Sequence, residues 1–257
     1  MRRYLGVLGL VILLSACTGD PQSRQALNSG KQALAAGQSS DAIRDADAVI
    51  SSGDTPALAE AYFLRGYAIE MRQKPDNAAA AHDFAMARDS YTRGLTFSPR
   101  PEIAARLHAQ LGNVCYYQED YAAAVPEFMT AFNSLDSSQP RDEVLYRMGI
   151  SEQRLGRFDD ADRTFQQVQQ QFPGSAYAAP AAAHFGIRGF YVQLGAYTQQ
   201  KDVNSACNAV RRSGSAPLIR VDKNITVVRT ANVPSYSQAQ QLRAQIAVQY
   251  PDARVMP

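Results

Sequence analysis

The sequence has little of what an active site is usually assembled from. Its 257 residues hold three histidines, His82, His108 and His184, scattered along the chain. There is no His-Glu-x-x-His helix, no Gly-x-Ser-x-Gly elbow and no phosphate-binding loop. Each histidine therefore reads as a surface or packing residue, and neither an enzyme nor a cofactor is expected. The cysteines are also three, Cys17, Cys115 and Cys207, and nothing in their surroundings supports a metal site. Cys115 and Cys207 fall on apolar helix faces, where buried free thiols are the expected state. Long apolar runs are missing as well, because residues 5–14 are far too short to cross a bilayer as a helix. The net charge is only +2, but it divides unevenly. From Arg188 onward nine Lys/Arg face three Asp/Glu, whereas residues 17–187 hold fifteen against twenty-one. A basic C-terminal part suits an anionic or polar polymer, or forms a solvated face with no partner.

What is present suits two folded units. Hydrophobic residues make up 46% and charged residues 19%, a globular balance that can bury a sizeable core. The chain opens with Arg2 and Arg3 ahead of its short apolar run, the anatomy of an export signal. That run ends in Leu14, Ser15, Ala16 and Cys17, which resembles the bacterial lipobox. The resemblance implies cleavage before Cys17, a diacylglyceryl group on its sulfur, and anchoring by more than one acyl chain. Residues 1–16 are then the signal peptide and 17–22 a tether. Thr18, in place of Asp, implies sorting to the outer membrane, on its periplasmic face. The other reading is an ordinary signal peptide with an incidental cysteine.

Residues 23–178 repeat. Gly30, Gly66, Gly112 and Gly149 stack as one position at a period of about 34 residues. Behind them run the columns Ala42, Ala87, Ala124 and Ala161, then Ala46, Tyr91, Phe128 and Phe165, then Val49, Gly94, Ala131 and Val168. Small residues let antiparallel helices approach, and large ones fill the space between pairs. The pattern resembles the tetratricopeptide (TPR) repeat, with copies at about 23–56, 59–101, 105–138 and 142–175 by the period of that family. Pro126 falls inside a second helix, where a kink is expected. The insertion around Pro75, Asp76 and Asn77 reads as a longer turn or an extra helical turn.

By this resemblance the first helices line a groove for a protein or peptide, at positions that here hold Phe63, Tyr67, Asn113, Tyr116, Tyr117, Tyr146 and Arg154. Aromatic rings with an amide and a guanidinium suit a peptide backbone. The same residues also suit the packing of a passive spacer. Lys31 and Asn113 occupy positions that clamp a terminal carboxylate in some family members, although the rest of that clamp is not evident.

Residues 179–187 read as a linker or capping segment, after which the periodicity changes from helical to alternating. Residues 190–197 form a first strand with Val192, Leu194 and Ala196 toward a core and Tyr191, Gln193 and Gly195 on the opposite face. A helix over 201–213 follows, then strands over 217–222 and 225–230. Ser235 caps a second helix, and 253–256 close as a fourth strand. The order βαββαβ implies a four-stranded sheet with helices on one face and the other face free. With the opening Val192-Gln193-Leu194-Gly195-Ala196-Tyr197, residues 188–257 resemble the SPOR domain, a peptidoglycan-binding module of bacterial division and envelope proteins with an RNP-like α+β fold. By that resemblance the free face binds glycan strands stripped of stem peptides. Alternation puts Tyr191, Gln193, Arg220, Ile225, Val227 and Arg229 on it. Gln193 matches the family's motif glutamine, and Arg220 and Arg229 suit lactyl carboxylates. One departure stands out: the family's Gly-Pro-aromatic turn after the third strand is replaced by Ala231, Asn232 and Val233.

The sequence thus reads as a lipid-anchored envelope protein with an α-helical TPR solenoid for an unidentified protein partner and a SPOR module for septal peptidoglycan. The alternative is a TPR scaffold for envelope biogenesis or outer-membrane protein assembly whose SPOR module no longer binds sugar. RNA is not expected, because the third strand lacks the aromatics of RNA-recognition sheets.

Overall fold

The computed structural model describes residues 20–72 and 77–257. The leader, Cys17 and the expected insertion residues Pro75 and Asp76 lie outside them. The chain divides into two compact units at Met148/Gly149.

The first unit holds six helices and the start of a seventh, among the described residues: α1 (Pro21–Ala35), α2 (Ser39–Ser52), α3 (Thr55–Met71), α4 (Asn77–Thr96), α5 (Pro101–Tyr117), α6 (Tyr121–Ser134) and α7 (Arg141–Arg154), which runs across the boundary. Local chemistry sets their ends. The Asp20 carboxylate accepts from the backbone N–H groups of Gln22 and Ser23, and Pro21 fills a first-turn position that needs no donor. Pro56 and Pro101 open α3 and α5 in the same way. Pro126 sits in the interior of α6, which nevertheless continues from Tyr121 to Ser134.

The glycine column is where paired helices touch. A Cβ on Gly66 would lie 2.5 Å from the Tyr91 ring, and one on Gly112 2.6 Å from the Phe128 ring. Tyr91 and Phe128 are fully buried, so each aromatic fills the space its glycine leaves. In the first copy Ala46 is too small for this. Leu64 of α3 takes the place, 2.7 Å from where a Gly30 Cβ would stand. The alanine column Ala42, Ala87 and Ala124 is wholly buried.

The second unit begins with the end of α7 and continues through α8 (Phe158–Gln171), α9 (Ala178–His184), β1 (Tyr191–Tyr197), α10 (Gln200–Arg212), β2 (Pro217–Asp222), β3 (Ile225–Thr230), α11 (Tyr236–Ala247) and β4 (Arg254–Met256). Gly149 and Phe165 repeat the glycine–aromatic contact at 2.7 Å. The stretch read as linker or cap is the helix α9 and a short strap. Gln153 bonds His184 through both its backbone oxygen and its ring, and His184 packs on Phe165 at 5.4 Å. Beyond it, Asp162 accepts from the Gly186 N–H and pairs with Arg188.

The strands form one antiparallel sheet in the order β2-β3-β1-β4. α10 and α11 cover one face, and Val192, Leu194, Val203, Cys207, Val210, Val228 and Ile246 make the core between. Cys207 and, in the first unit, Cys115 are buried free thiols. One expectation is corrected. A bulge interrupts the pairing between Gln193, opposite Arg229, and Gly195, opposite Val228. The extra residue reverses the alternation beyond it, so Ala196 faces out and Tyr197 turns in against the core.

Candidate functional site

The open face of the sheet gathers the residues picked out for it. Tyr191, Gln193, Arg220, Ile225, Val227 and Arg229 line one shallow depression of about 560 Å³, together with Leu218, Ile219 and Asp222. Strand register explains why. Gln193 stands opposite Arg229 on β3, and Arg229 stands opposite Leu218 on β2. On the other side Gln193 stands opposite Arg254 of β4. One row across the sheet therefore reads Arg254, Gln193, Arg229, Leu218. A second pairs Val227 with Arg220, and a third Ile225 with Asp222.

The row holds an amide flanked by two guanidinium groups. The amide both donates and accepts, and each guanidinium offers a fork of donors matched to a carboxylate. Arg229 is held in place twice: its guanidinium lies 4.3 Å from the centroid of the Tyr191 ring, and it donates to the Asn232 Oδ1 at 2.7 Å. Half-exposed Leu218 and Ile225 supply flat apolar surface. Neutral hydroxyl and amide groups, ring faces and carboxylates could all be met on this surface.

Three members of the face escaped sequence reasoning. Leu218 and Asp222 alternate in phase with Arg220 and were legible in the pattern of β2. Arg254 was not, because its place beside Gln193 depends on how a three-residue strand pairs with β1. Asn232 belongs to the turn that departs from the family's pattern, and the departure has a use here. Asn232 holds Arg229, while Val233 forms an isolated bridge with Phe190, its N–H donating at 2.7 Å and its carbonyl accepting at 2.8 Å.

These features have a known counterpart, since residues 187–257 match the family model for the SPOR domain. The C-terminal module is a SPOR domain. Residues 143–175 match the tetratricopeptide repeat. Solved structures similar to the chain include a point variant of MamA (21% identity, 64% of this chain and 81% of that one, TM-score 0.48). A second is YrrB, described as a TPR protein with an unusual peptide-binding site (19%, 62% and 75%, 0.48). A third is MamA from Desulfovibrio magneticus RS-1 (14%, 64% and 92%, 0.49). No curated protein matches the chain. TPR and SPOR domains are binding modules, and together they support a role in protein interaction and peptidoglycan binding.

In the first unit the groove residues fall into two groups. Phe63 and Tyr67 stack at 6.1 Å and line a cavity of about 410 Å³ with Leu34, Leu64, Met71 and Ile103. Lys31, on its rim, is paired with Glu60 at 2.5 Å. The second group is Asn113, Tyr116 and Tyr117. Arg147 donates to the Asn113 Oδ1 at 2.6 Å and lies over both tyrosine rings, at 5.8 and 5.2 Å. Tyr146 is half-buried on α7. Arg154 requires a correction. It belongs to the second unit, where its guanidinium lies over the rings of Tyr236 and Phe190, at 4.0 and 5.3 Å. The two rings, set edge to face at 68°, hold the cation there, so it is a packing residue of the SPOR domain's neighbour helix.

Proposed function

We propose that this chain is an envelope protein that holds glycan strands of peptidoglycan on the open SPOR face and a protein partner in the TPR groove. Placement of Gln193 between Arg229 and Arg254 supports this reading. An amide between two cations suits N-acetylated sugar rings whose lactyl carboxylates have lost their stem peptides, and intact stem peptides would crowd those carboxylates. Arg220, on β2, extends the cationic surface. Anchoring through a lipidated Cys17 to the outer membrane, facing the periplasm, and enrichment at the septum complete the proposal. The anchor draws on the lipobox resemblance alone, and septal enrichment draws on the SPOR domain.

The test is co-sedimentation of the full chain with sacculi before and after amidase treatment. Amidase-treated sacculi should retain the chain, and Gln193→Ala and Arg254→Ala should each release most of it. Equal retention of wild type and both variants would overturn the site. No retention at all, with a known SPOR binder sedimenting alongside, would leave the scaffold reading, in which only the TPR groove acts.

A further inference from the structure

The second strand of the SPOR sheet leaves an unusual amount of apolar surface open. Leu218, Ile219 and Val221 are 41%, 53% and 66% exposed, and Ile225, at the start of the neighbouring β3, is 47% exposed. β2 is the outer strand of the order β2-β3-β1-β4 and, among the described residues, has no strand on its other side. It pairs with β3 through six consecutive residue pairs without a bulge. Such an edge presents unpaired main-chain groups to any strand that can fit it.

The direction of those groups can be fixed. The Ala231 N–H donates to the Ala216 carbonyl at 2.9 Å, and residues 216 and 231 are directly opposed in the register that pairs Pro217 with Thr230. In an antiparallel ladder, hydrogen-bonded and non-bonded pairs alternate. Leu218, Arg220 and Asp222 therefore turn their N–H and C=O groups toward β3, and Ile219 and Val221 turn theirs outward. Arg220 and Asp222 share the open face, two residues apart.

We propose that β2 pairs antiparallel with β2 of a second copy of this chain, about a two-fold axis at Val221. In this register the two Val221 residues exchange both main-chain hydrogen bonds, and Arg220 of each copy stands directly opposite Asp222 of the other. Neighbouring registers are worse. Moving the axis by one residue puts Arg220 opposite Arg220 or Asp222 opposite Asp222, and like charges directly opposed are destabilising. Moving it to Ile219 sets Arg220 against Leu218 and Asp222 against Ala216, so neither charge meets its opposite, and it sets the outward groups of Val221 against Pro217, which has no N–H to give. The strand is thus self-complementary in one register, which is why the occupant is a second copy and not a foreign strand. Pairing joins the two open faces into one continuous sheet bearing two Gln193 sites. Arg220 then turns to the facing acid, and sugar contacts fall to Gln193, Arg229 and Arg254. The pairing does not depend on glycan being the ligand.

The test uses the full chain in mild detergent. Sedimentation velocity over a concentration series should show the mass rising toward a dimer. Arg220→Asp, which opposes two acids twice over, should abolish the rise, and Arg220→Asp combined with Asp222→Arg should restore it. Under mild oxidation Val221→Cys should give a disulfide-linked dimer, since directly opposed Cα atoms lie about 5.5 Å apart. Ile219→Cys should not, because four residues of strand, about 13 Å, separate it from its counterpart. A monomer at every concentration, failure of the double exchange to restore association, or equal cross-linking at 219 and 221 would each overturn the proposal.

Discussion

The guanidinium of Arg154 rests 4.0 Å from the ring centroid of Tyr236, which joins the last turn of α7 to the first turn of α11 in the SPOR domain. Between them lies Phe190, fully buried, with Phe158 of α8 at 6.1 Å and Tyr236 at 5.6 Å. The end of the last repeat therefore completes the apolar contacts of the residue that leads into β1.

It follows that a piece spanning 149–257 should be more stable than one spanning 188–257. The shorter piece exposes Phe190 on one side and loses the cation over two rings, a deficit of about 2 kcal/mol. Urea denaturation followed by circular dichroism reads it as a lower midpoint. In the full chain Phe190→Ala should cost about 3–5 kcal/mol, as buried aromatic truncations do. Equal midpoints for the two pieces would show that the α7 and α8 contacts contribute nothing.

Asn232 is expected to matter for ligand capture without touching the fold's core. Its Oδ1 accepts from Arg229 at 2.7 Å, and Asn232→Ala releases that guanidinium to more rotamers. The retained fraction in a titrated sacculus pull-down should correspond to an affinity roughly 3- to 10-fold weaker, the range of one lost hydrogen bond. The melting temperature should barely move.

Glycine at 149 should resist even alanine. A methyl there would stand 2.7 Å from the ring of the fully buried Phe165. Overpacking of this kind costs about 1–3 kcal/mol, more than the roughly 0.5–1 kcal/mol alanine returns in helix propensity. Gly149→Ala should lower the melting temperature, and adding Phe165→Leu should recover part of the loss, a coupling that thermal melts of the four-member cycle would reveal.

The last repeat also carries a pH dependence. Glu152 is only 6% exposed, and burial raises its pKa above the ordinary 4.5, opposed in part by the Thr164 hydroxyl that donates to it at 2.7 Å. A carboxyl whose folded pKa is raised binds more protons folded than unfolded. Its contribution is therefore greatest at acid pH and declines as pH rises from 4.5 through the raised value. His184 acts in the opposite sense. Burial, and then the Arg154 charge, lower its pKa from 6.5, so its contribution is present above 6.5 and declines as pH falls below it. Glu152→Gln should raise the melting temperature near neutral pH and remove the part of the pH profile that falls above 4.5, leaving the histidine's. A profile unchanged by Glu152→Gln would exclude the carboxyl as its source.

Local repetition decided what the sequence determined by itself. The pairs Gly112 with Phe128 and Gly149 with Phe165 could be read because each partner recurs at the same spacing, and Gly66 with Tyr91 follows once the insertion between them is allowed for. The strands carrying Gln193, Arg220 and Arg229 could be read for the same reason, since alternation puts every second residue on one face. Tertiary structure decided whatever depended on non-local pairing. The bulge that turns Ala196 out and Tyr197 in arises from the match between β1 and β3, and Arg254 reaches Gln193 only through the pairing of β4 with β1. Leu64 replaces the missing ring beside Gly30 from a different helix. Arg154, expected in a groove, finds its partners Phe190 and Tyr236 on distant segments. Periodicity is a property of neighbours along the chain, and these contacts belong to neighbours in space.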